Sequence, residues 1–455
     1  MIATIDPATG ETLARFDAHT PAEIDARLER AARAQDAWRW RSAEERAAIL
    51  PRLAALLRAE KDRLAALITC EMGKPIAEAA AEVEKCALNC DFYAERAPAM
   101  LADAPVAAAP GTTLAFEPLG VILAIMPWNY PLWQVVRFLA PALAAGNGAI
   151  LKHAANVPQS ALALERLVAE AGFPEGLFAN LFVEPVDIAA VIADPRIAGV
   201  TLTGSTEVGA IVAGQAGAAL KKQVLELGGS DPFVVLADAD LERAARTAVT
   251  ARFTNAGQSC VNAKRFIVEA SVADAFADHF LKGITELKLG DPRDTATTLG
   301  PLARGNLRAA IDAQVQRSIA SGAQLRTGGT IPGGPGFYYP ATLLDHVAPG
   351  MAAFDEETFG PAAAIVRAHD ADEAIALANR TCFGLGASVW TTDIDRGRLL
   401  ARRVDAGAVF VNAMVASDPR VPFGGIKRSG YGRELGEAGM KEFTNMKTIR
   451  VADAI

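Results

Sequence analysis

From Gly120 onward the sequence repeats one arrangement: a short continuous apolar run, a turn rich in Gly, Pro, Asn or Ser, then a helix-like stretch. "GVILAIM" precedes "PLWQVVRFLAPALAAG", "GAILKH" precedes "PQSALALERLVAEAG", and "ANLFV", "GVTLTG" and "KKQVLEL" continue the series. Apolar runs without polar alternation read as strands buried on both faces, and the helices between them supply the cover. Such a chain is expected to form an open, mostly parallel sheet of the nucleotide-binding type. Sheets of this kind hold ligands just beyond the carboxyl ends of their strands, so the residues after each run carry the functional information.

A second alternating unit starts at "DPFVVLADADLERAA" and runs through "RFIVEA" and "GFYYPATLLD" to about residue 412, which predicts a second α/β lobe. Before Gly120, leucines and alanines recur at helical spacing from Pro21 to Cys70. Gly73 in "EMGKP" stops that pattern, and a further helix is expected to about Ala97. "GTTLAFEP" at 111–118 reads as a strand leaving the main body, and "TNMKTIRV" near the C-terminus alternates like an edge strand.

With 455 residues, 51% hydrophobic and 22% charged, the chain is expected to make two or three globular domains. The formal net charge of −8 and the lack of a basic run argue against a nucleic-acid partner. The apolar stretches are far shorter than the roughly 20 residues that span a bilayer, and the N-terminus has no secretory pattern. A soluble, cytoplasmic protein without membrane contact is expected. The five cysteines form no CxxC pair, which suits a reducing compartment, and no metal site is expected. Cys86 and Cys90 share a helix face, and without nearby histidines they read as packing.

Cys260 lies in "TNAGQSCVN", among small and polar side chains where a packing cysteine would have Leu, Ile and Val around it. Asn129 in "MPWNYP" is either a turn former or an amide donor for a developing oxyanion. Lys152 in "LKHAAN" is either an exposed strand-end lysine or a donor to ribose or phosphate. Ser205 in "TGSTEVG" is an N-cap or one of a group of phosphate ligands, although the GxGxxG fingerprint is absent. Glu226 in "LELGGSDP" is a solvated strand end or a base held in a cleft.

Together, "PWNYP", "TGSTEVG", "ELGGSDP", "GQSC", "EETFGP" and "PFGGIKRSGYGRELG" resemble the aldehyde dehydrogenase superfamily over essentially the whole chain. The resemblance implies an α/β, aldehyde dehydrogenase-like fold: two Rossmann-like α/β lobes and a small β oligomerisation arm. The expected segments are 1–101 and 119–230 for the cofactor-binding domain, 231–428 for the catalytic domain, and 102–118 and 429–455 for oligomerisation into a homodimer or homotetramer. By position, Cys260 matches the family nucleophile, Glu226 the general base, and Asn129 the oxyanion donor, with the Cys260 N–H as second donor. Glu357 and Phe359 match the nicotinamide-ribose and ring contacts, Lys152 and Ser205 the adenosine-ribose and pyrophosphate contacts, and Trp128 a further cofactor contact.

NAD-preferring members typically carry a glutamate three residues after the ribose lysine. That position is Ala155 here, which leaves room for a 2′-phosphate and removes a repulsive charge, so NADP is expected to be preferred over NAD. His153 either adds a donor there or simply ends the strand. In the helix after Asn129, Trp133 and Arg137 share a face. With Ser259 and Ser417 they resemble the substrate site of the short succinate-semialdehyde dehydrogenases, Arg137 pairing with a distal carboxylate or, alternatively, with a neighbouring helix. Asn262 stands where redox-regulated members carry a second cysteine, so no disulfide lock is expected. The rival readings are a broad-specificity dehydrogenase of small aldehydes and a non-catalytic ligand-binding descendant.

Overall fold

The computed structural model describes residues 2–452. Met1 and residues 453–455, the extreme ends of two of the expected segments, lie outside the described residues.

The first apolar series forms a six-stranded sheet, in the order Gly430–Tyr431, Lys222–Glu226, Ile197–Thr203, Val121–Met126, Gly148–His153 and Phe178–Asn180. All neighbours are parallel except Gly430–Tyr431, which runs antiparallel beside Glu226 and Leu225. The segment from 429 onward therefore does more than was expected of an oligomerisation arm, because its first residues close this sheet. Strand order reverses between Val121–Met126 and Ile197–Thr203, which opens a crevice between the turns that follow them, Pro127–Asn129 and Gly204–Ser205.

Only Leu227–Ser230 separate the last main strand of the first sheet from Asp231–Val235, a central strand of the seven-stranded second sheet. A link this short joins the carboxyl end of one sheet to the amino end of the next, and the two sheets meet end to end. In the second sheet Asp231–Val235 lies between Ala263–Glu269 and Gly386–Trp390, with parallel pairing. Cys260 sits just before Ala263–Glu269, so it faces the crevice of the first sheet.

The N-terminal hundred residues form a short hairpin and then helices, the longest being Ile76–Met100. Ala79, Val83, Cys86, Cys90, Tyr93 and Ala97 recur at three- and four-residue spacing and are wholly buried along its inner stripe. Each large apolar side chain of that stripe contributes about 1.5–3 kcal/mol on burial. Cys86 and Cys90 belong to this core. Gly73 ends the preceding helix in the left-handed conformation, at φ +80°. The strand Thr112–Pro118 leaves the body as expected, lying between Ala104–Pro105 and the C-terminal strand Thr444–Arg450. No helix among the described residues is long and apolar enough to cross a membrane.

Candidate active site

Two cavities meet at Cys260. One, of about 110 Å³, is lined by Lys85, Tyr130, Trp133, Arg137, Ser259 and Ser417 among others. The other, of about 240 Å³, is lined by Trp128, Asn129, Ser205, Glu357 and Phe359 together with Gly204 and Arg304. Among the described residues Cys260 alone lines both. The fold thus brings the expected substrate residues to one side of the thiol and most of the expected cofactor residues to the other.

The loop that carries Cys260 is held in an unusual backbone. Asn255, Ala256 and Gly257 have φ of +57°, +52° and +72°, three consecutive left-handed residues of which only Gly adopts that region without cost. A Cβ at Gly257 would run into the carbonyl of Gly360. Asn255 Nδ2 donates to Asn129 O (2.8 Å) and Gln258 O (3.1 Å), and Glu78 accepts from the Asn255 N–H (2.7 Å). Beneath the loop the buried Lys264 ammonium donates to the carbonyls of Ser259 (3.2 Å), Cys260 (2.7 Å) and Asn262 (3.2 Å). These bonds hold the backbone on both sides of Cys260.

Burial pushes the Cys260 thiol up to about 12, against the pull of Arg137 and Lys264. Without a ligand it is a neutral thiol at physiological pH. Asn129 is buried and its Nδ2 donates to Gln258 O (3.0 Å). An amide nitrogen carries two hydrogens, so one stays available toward the cavity that Asn129 lines. Glu226 is buried at the end of its strand, and neither carboxylate oxygen has a hydrogen-bond partner. Burial, and then the nearby Glu434, push its carboxyl well above the usual range, while Arg137 and Arg433 pull it down. It lines neither cavity and packs against Gly424.

On the cofactor side, Ser205 is the N-cap that the sequence offered as one alternative. It caps the helix Thr206–Ala218, its Oγ accepting from Val208 N (3.3 Å), and it lines the cavity. Glu357 Oε1 accepts from the Gly229 N–H (3.0 Å), and a Cβ at Gly228 would strike its carboxylate, so the paired glycines leave the space Glu357 occupies. Phe359 meets Trp128 edge-on at 5.8 Å. Lys152 ends its strand half-buried, and Ala155 is exposed in the following turn. His153 is not a donor to a ligand. Its Nδ1 accepts from Ala154 N (2.9 Å), its Nε2 lies 2.8 Å from Pro131 O, and burial lowers it to about 4. The crevice, the N-terminus of the helix Thr206–Ala218 and the space beside Gly228 open onto one cavity, lined by Trp128, Ser205 and Glu357, whose shape and donors suit a nicotinamide dinucleotide.

On the substrate side Arg137 is 2% exposed and ion-paired with Glu434, and its Nη2 lies 3.3 Å from Thr203 Oγ1. Its guanidinium also covers the Phe423 ring at 4.9 Å. The alternative of an internal partner holds in part: the partner, Glu434, lies just before the helix Gly436–Glu442 and not on a neighbouring helix, and Arg137 still borders the cavity. Several neighbours were not anticipated. Lys85 donates to Ser417 Oγ (2.8 Å), Tyr130 lies under Lys74, and Glu82 Oε1 accepts from Leu132 N and Trp133 N, holding the start of the buried helix that carries Trp133 and Arg137. Lys264, Arg304 and Glu434 were also missed. Glu434 sits within "PFGGIKRSGYGRELG", which was read only for its part in the resemblance, and neither Lys264 nor Arg304 carries a signal that distinguishes it from an ordinary charged residue.

Residues 1–449 match the aldehyde dehydrogenase family. The chain is 52% identical over 452 residues to a probable succinate-semialdehyde dehydrogenase [NADP(+)] of Synechocystis, covering 99% of this chain and 100% of that protein. It is 50% identical over 455 residues to succinate-semialdehyde dehydrogenase [NADP(+)] 1 of Mycobacterium tuberculosis, with 99% and 100% coverage. Among solved structures it resembles succinic semialdehyde dehydrogenase from Streptococcus pyogenes in complex with NADP+, at 38% identity, TM-score 0.97 and full coverage of both chains.

Proposed function

This chain belongs to the aldehyde dehydrogenase family, and from that premise we propose that it oxidises succinic semialdehyde to succinate with NADP+, using NAD+ less well. The observation that carries the reading is the placement of Cys260 at the junction of the two cavities, since aldehyde oxidation needs one atom that meets both substrate and hydride acceptor. The names of its relatives support the choice of aldehyde and cofactor, and Ala155 supports NADP+ by placing no carboxylate where a 2′-phosphate would lie.

The Cys260 thiol releases its proton to solvent through the cavity, its sulfur adds to the aldehyde carbon, and the oxyanion of the thiohemiacetal takes hydrogen bonds from Asn129 Nδ2 and the Cys260 N–H. When bound, the nicotinamide accepts the hydride that leaves this carbon. The thioester left on Cys260 is then attacked by water, whose proton passes to Glu226. Its high proton affinity suits the carboxyl for that role once it is ionised. Departure of the carboxylic acid restores the thiol. Because the water-activating carboxylate is present, the product is a free acid.

Residues 2–101 and 119–230 are assigned here to cofactor binding, 231–428 to catalysis, and 102–118 with the C-terminal strand to assembly. Exposed Met446 and Ile449 on that strand support a homodimer or homotetramer. Five free cysteines support a cytoplasmic location. The test is kcat/KM with NADP+ for succinic semialdehyde against butanal, which has the same chain length without the carboxylate. A preference of about a hundredfold, roughly 2.7 kcal/mol, is expected. Equal values would reduce the reading to a dehydrogenase of broad specificity.

A further inference from the structure

The cavity on the substrate side of Cys260 is bordered by two cations, Lys85 and Arg137, and they differ in what already neutralises them. Arg137 has a carboxylate partner in Glu434, its Nη2 lies on Thr203 Oγ1 and the Phe423 ring faces its guanidinium. Lys85 has no carboxylate partner among the described residues. Its contacts are the Ser417 hydroxyl at 2.8 Å and the face of Trp133, 4.3 Å from the ring centroid. The carboxylates nearest along the chain are engaged elsewhere: Glu82 holds Lys74 and the Leu132 and Trp133 N–H groups, and Asp418 is bound by Arg420. A half-buried ammonium with one hydroxyl acceptor and one aromatic face keeps donor capacity turned toward the cavity.

We propose that Lys85 is the specificity-determining cation of this enzyme, its Nζ, steadied by Ser417 and Trp133, receiving the distal carboxylate of a short ω-carboxylated aldehyde whose carbonyl carbon lies at Cys260 Sγ. This deepens the reading of the preceding subsection and rests on it. Three residues from different parts of the chain converge here: Lys85 from the helix Ile76–Met100, Trp133 from the start of the helix Trp133–Ala145, and Ser417 from the loop after Ala408–Val411. The cavity of about 110 Å³ is of the size that takes a small organic molecule and leaves little room for a long chain. Burial and the neighbouring Arg137 lower Lys85 to about 8, so an arriving carboxylate supplies the counter-charge that the site lacks. The Arg137–Glu434 pair then shapes the wall of the cavity and leaves the charge of the ligand to Lys85.

The test compares wild-type, Lys85→Met, Lys85→Gln and Lys85→Arg by the ratio of kcat/KM for succinic semialdehyde to that for butanal, each with saturating NADP+. The ratio cancels changes in the amount of folded, active enzyme, and the glutamine variant keeps a polar group beside Ser417 where methionine does not. The expected result is a fall in the ratio of tenfold or more in Lys85→Met or Lys85→Gln, carried mainly by KM, with most of it recovered in Lys85→Arg. A wild-type enzyme that discriminates strongly while both neutral variants keep the ratio within tenfold would overturn the assignment of Lys85 and leave the proposed function standing. A wild-type enzyme that does not discriminate would overturn the proposed function and this inference with it.

Discussion

Glu434→Ala strips the Arg137 guanidinium of its counter-charge in a place where water cannot replace it. The two side chains are 2% and 4% exposed, and Glu434 also receives a hydrogen bond from Thr201 Oγ1 at 3.4 Å. Removing one member of a buried pair leaves the other charged and unsolvated, so a loss of about 3–5 kcal/mol is expected. Removing both charges together with apolar residues of similar volume, Arg137→Met with Glu434→Leu, is expected to cost far less than the single change and to be close to neutral. Urea midpoints and slopes of the wild type, Glu434→Ala and the double variant measure the difference. A single variant that loses under about 1 kcal/mol, or a double variant that loses as much as the single, would refute the claim that Arg137 is held chiefly by Glu434. The same change has a second, independent readout. The negative charge of Glu434 is an upward influence on Glu226, second to burial, so its loss lowers the Glu226 pKa, and the pH limb of thioester hydrolysis moves toward acid.

Glu226→Gln is expected to leave a rapid burst of about one equivalent of NADPH per active site, followed by turnover slowed about 10²–10⁴-fold; a linear time course at the wild-type rate would remove Glu226 from the hydrolytic step. Ala155→Glu puts a carboxylate where a 2′-phosphate would lie, and KM for NADP+ is expected to rise about tenfold or more while that for NAD+ rises little. With its thiol raised to about 12, ligand-free Cys260 is expected to react with iodoacetamide at a rate that climbs about tenfold per pH unit between pH 7 and 10; a plateau below pH 8 would show a stabilised thiolate instead.

What the sequence made readable lies at the ends of strands. Asn129, Ser205 and Cys260 sit in turns, and Glu226 closes its strand, where Gly, Pro and small polar residues interrupt apolar runs, and these interruptions locate both the strand ends and the candidate chemistry. The two-sheet architecture follows from the same runs. Lys85 was not readable because on an amphipathic helix it looks like any solvated lysine, and only packing against Trp133 and Ser417, far away in sequence, turns it toward the cavity. Arg137 was read as a candidate for the ligand, but its partner Glu434 lies almost three hundred residues later, and nothing in its Gly-rich stretch says which cation it meets. The left-handed run through Asn255 and Ala256 was hidden for a different reason: alanine has no preference for that region, and the surrounding hydrogen bonds impose it.

The antiparallel closure of the first sheet by Gly430–Tyr431 has a consequence for how the molecule is made. About 200 residues separate Glu226 from Gly430, which at about 5–20 residues per second is roughly 10–40 s of synthesis. Throughout that time the strand Lys222–Glu226 has one neighbour and one open edge on the ribosome-bound chain, while the entire second sheet is being translated. Phe443, whose carbonyl accepts from Asn147 Nδ2 at 3.0 Å, arrives later still. The crevice is therefore completed only when the chain is nearly finished, and a ribosome stalled before codon 430 holds a nascent protein in which Glu226 is already made but the sheet is still open beside it.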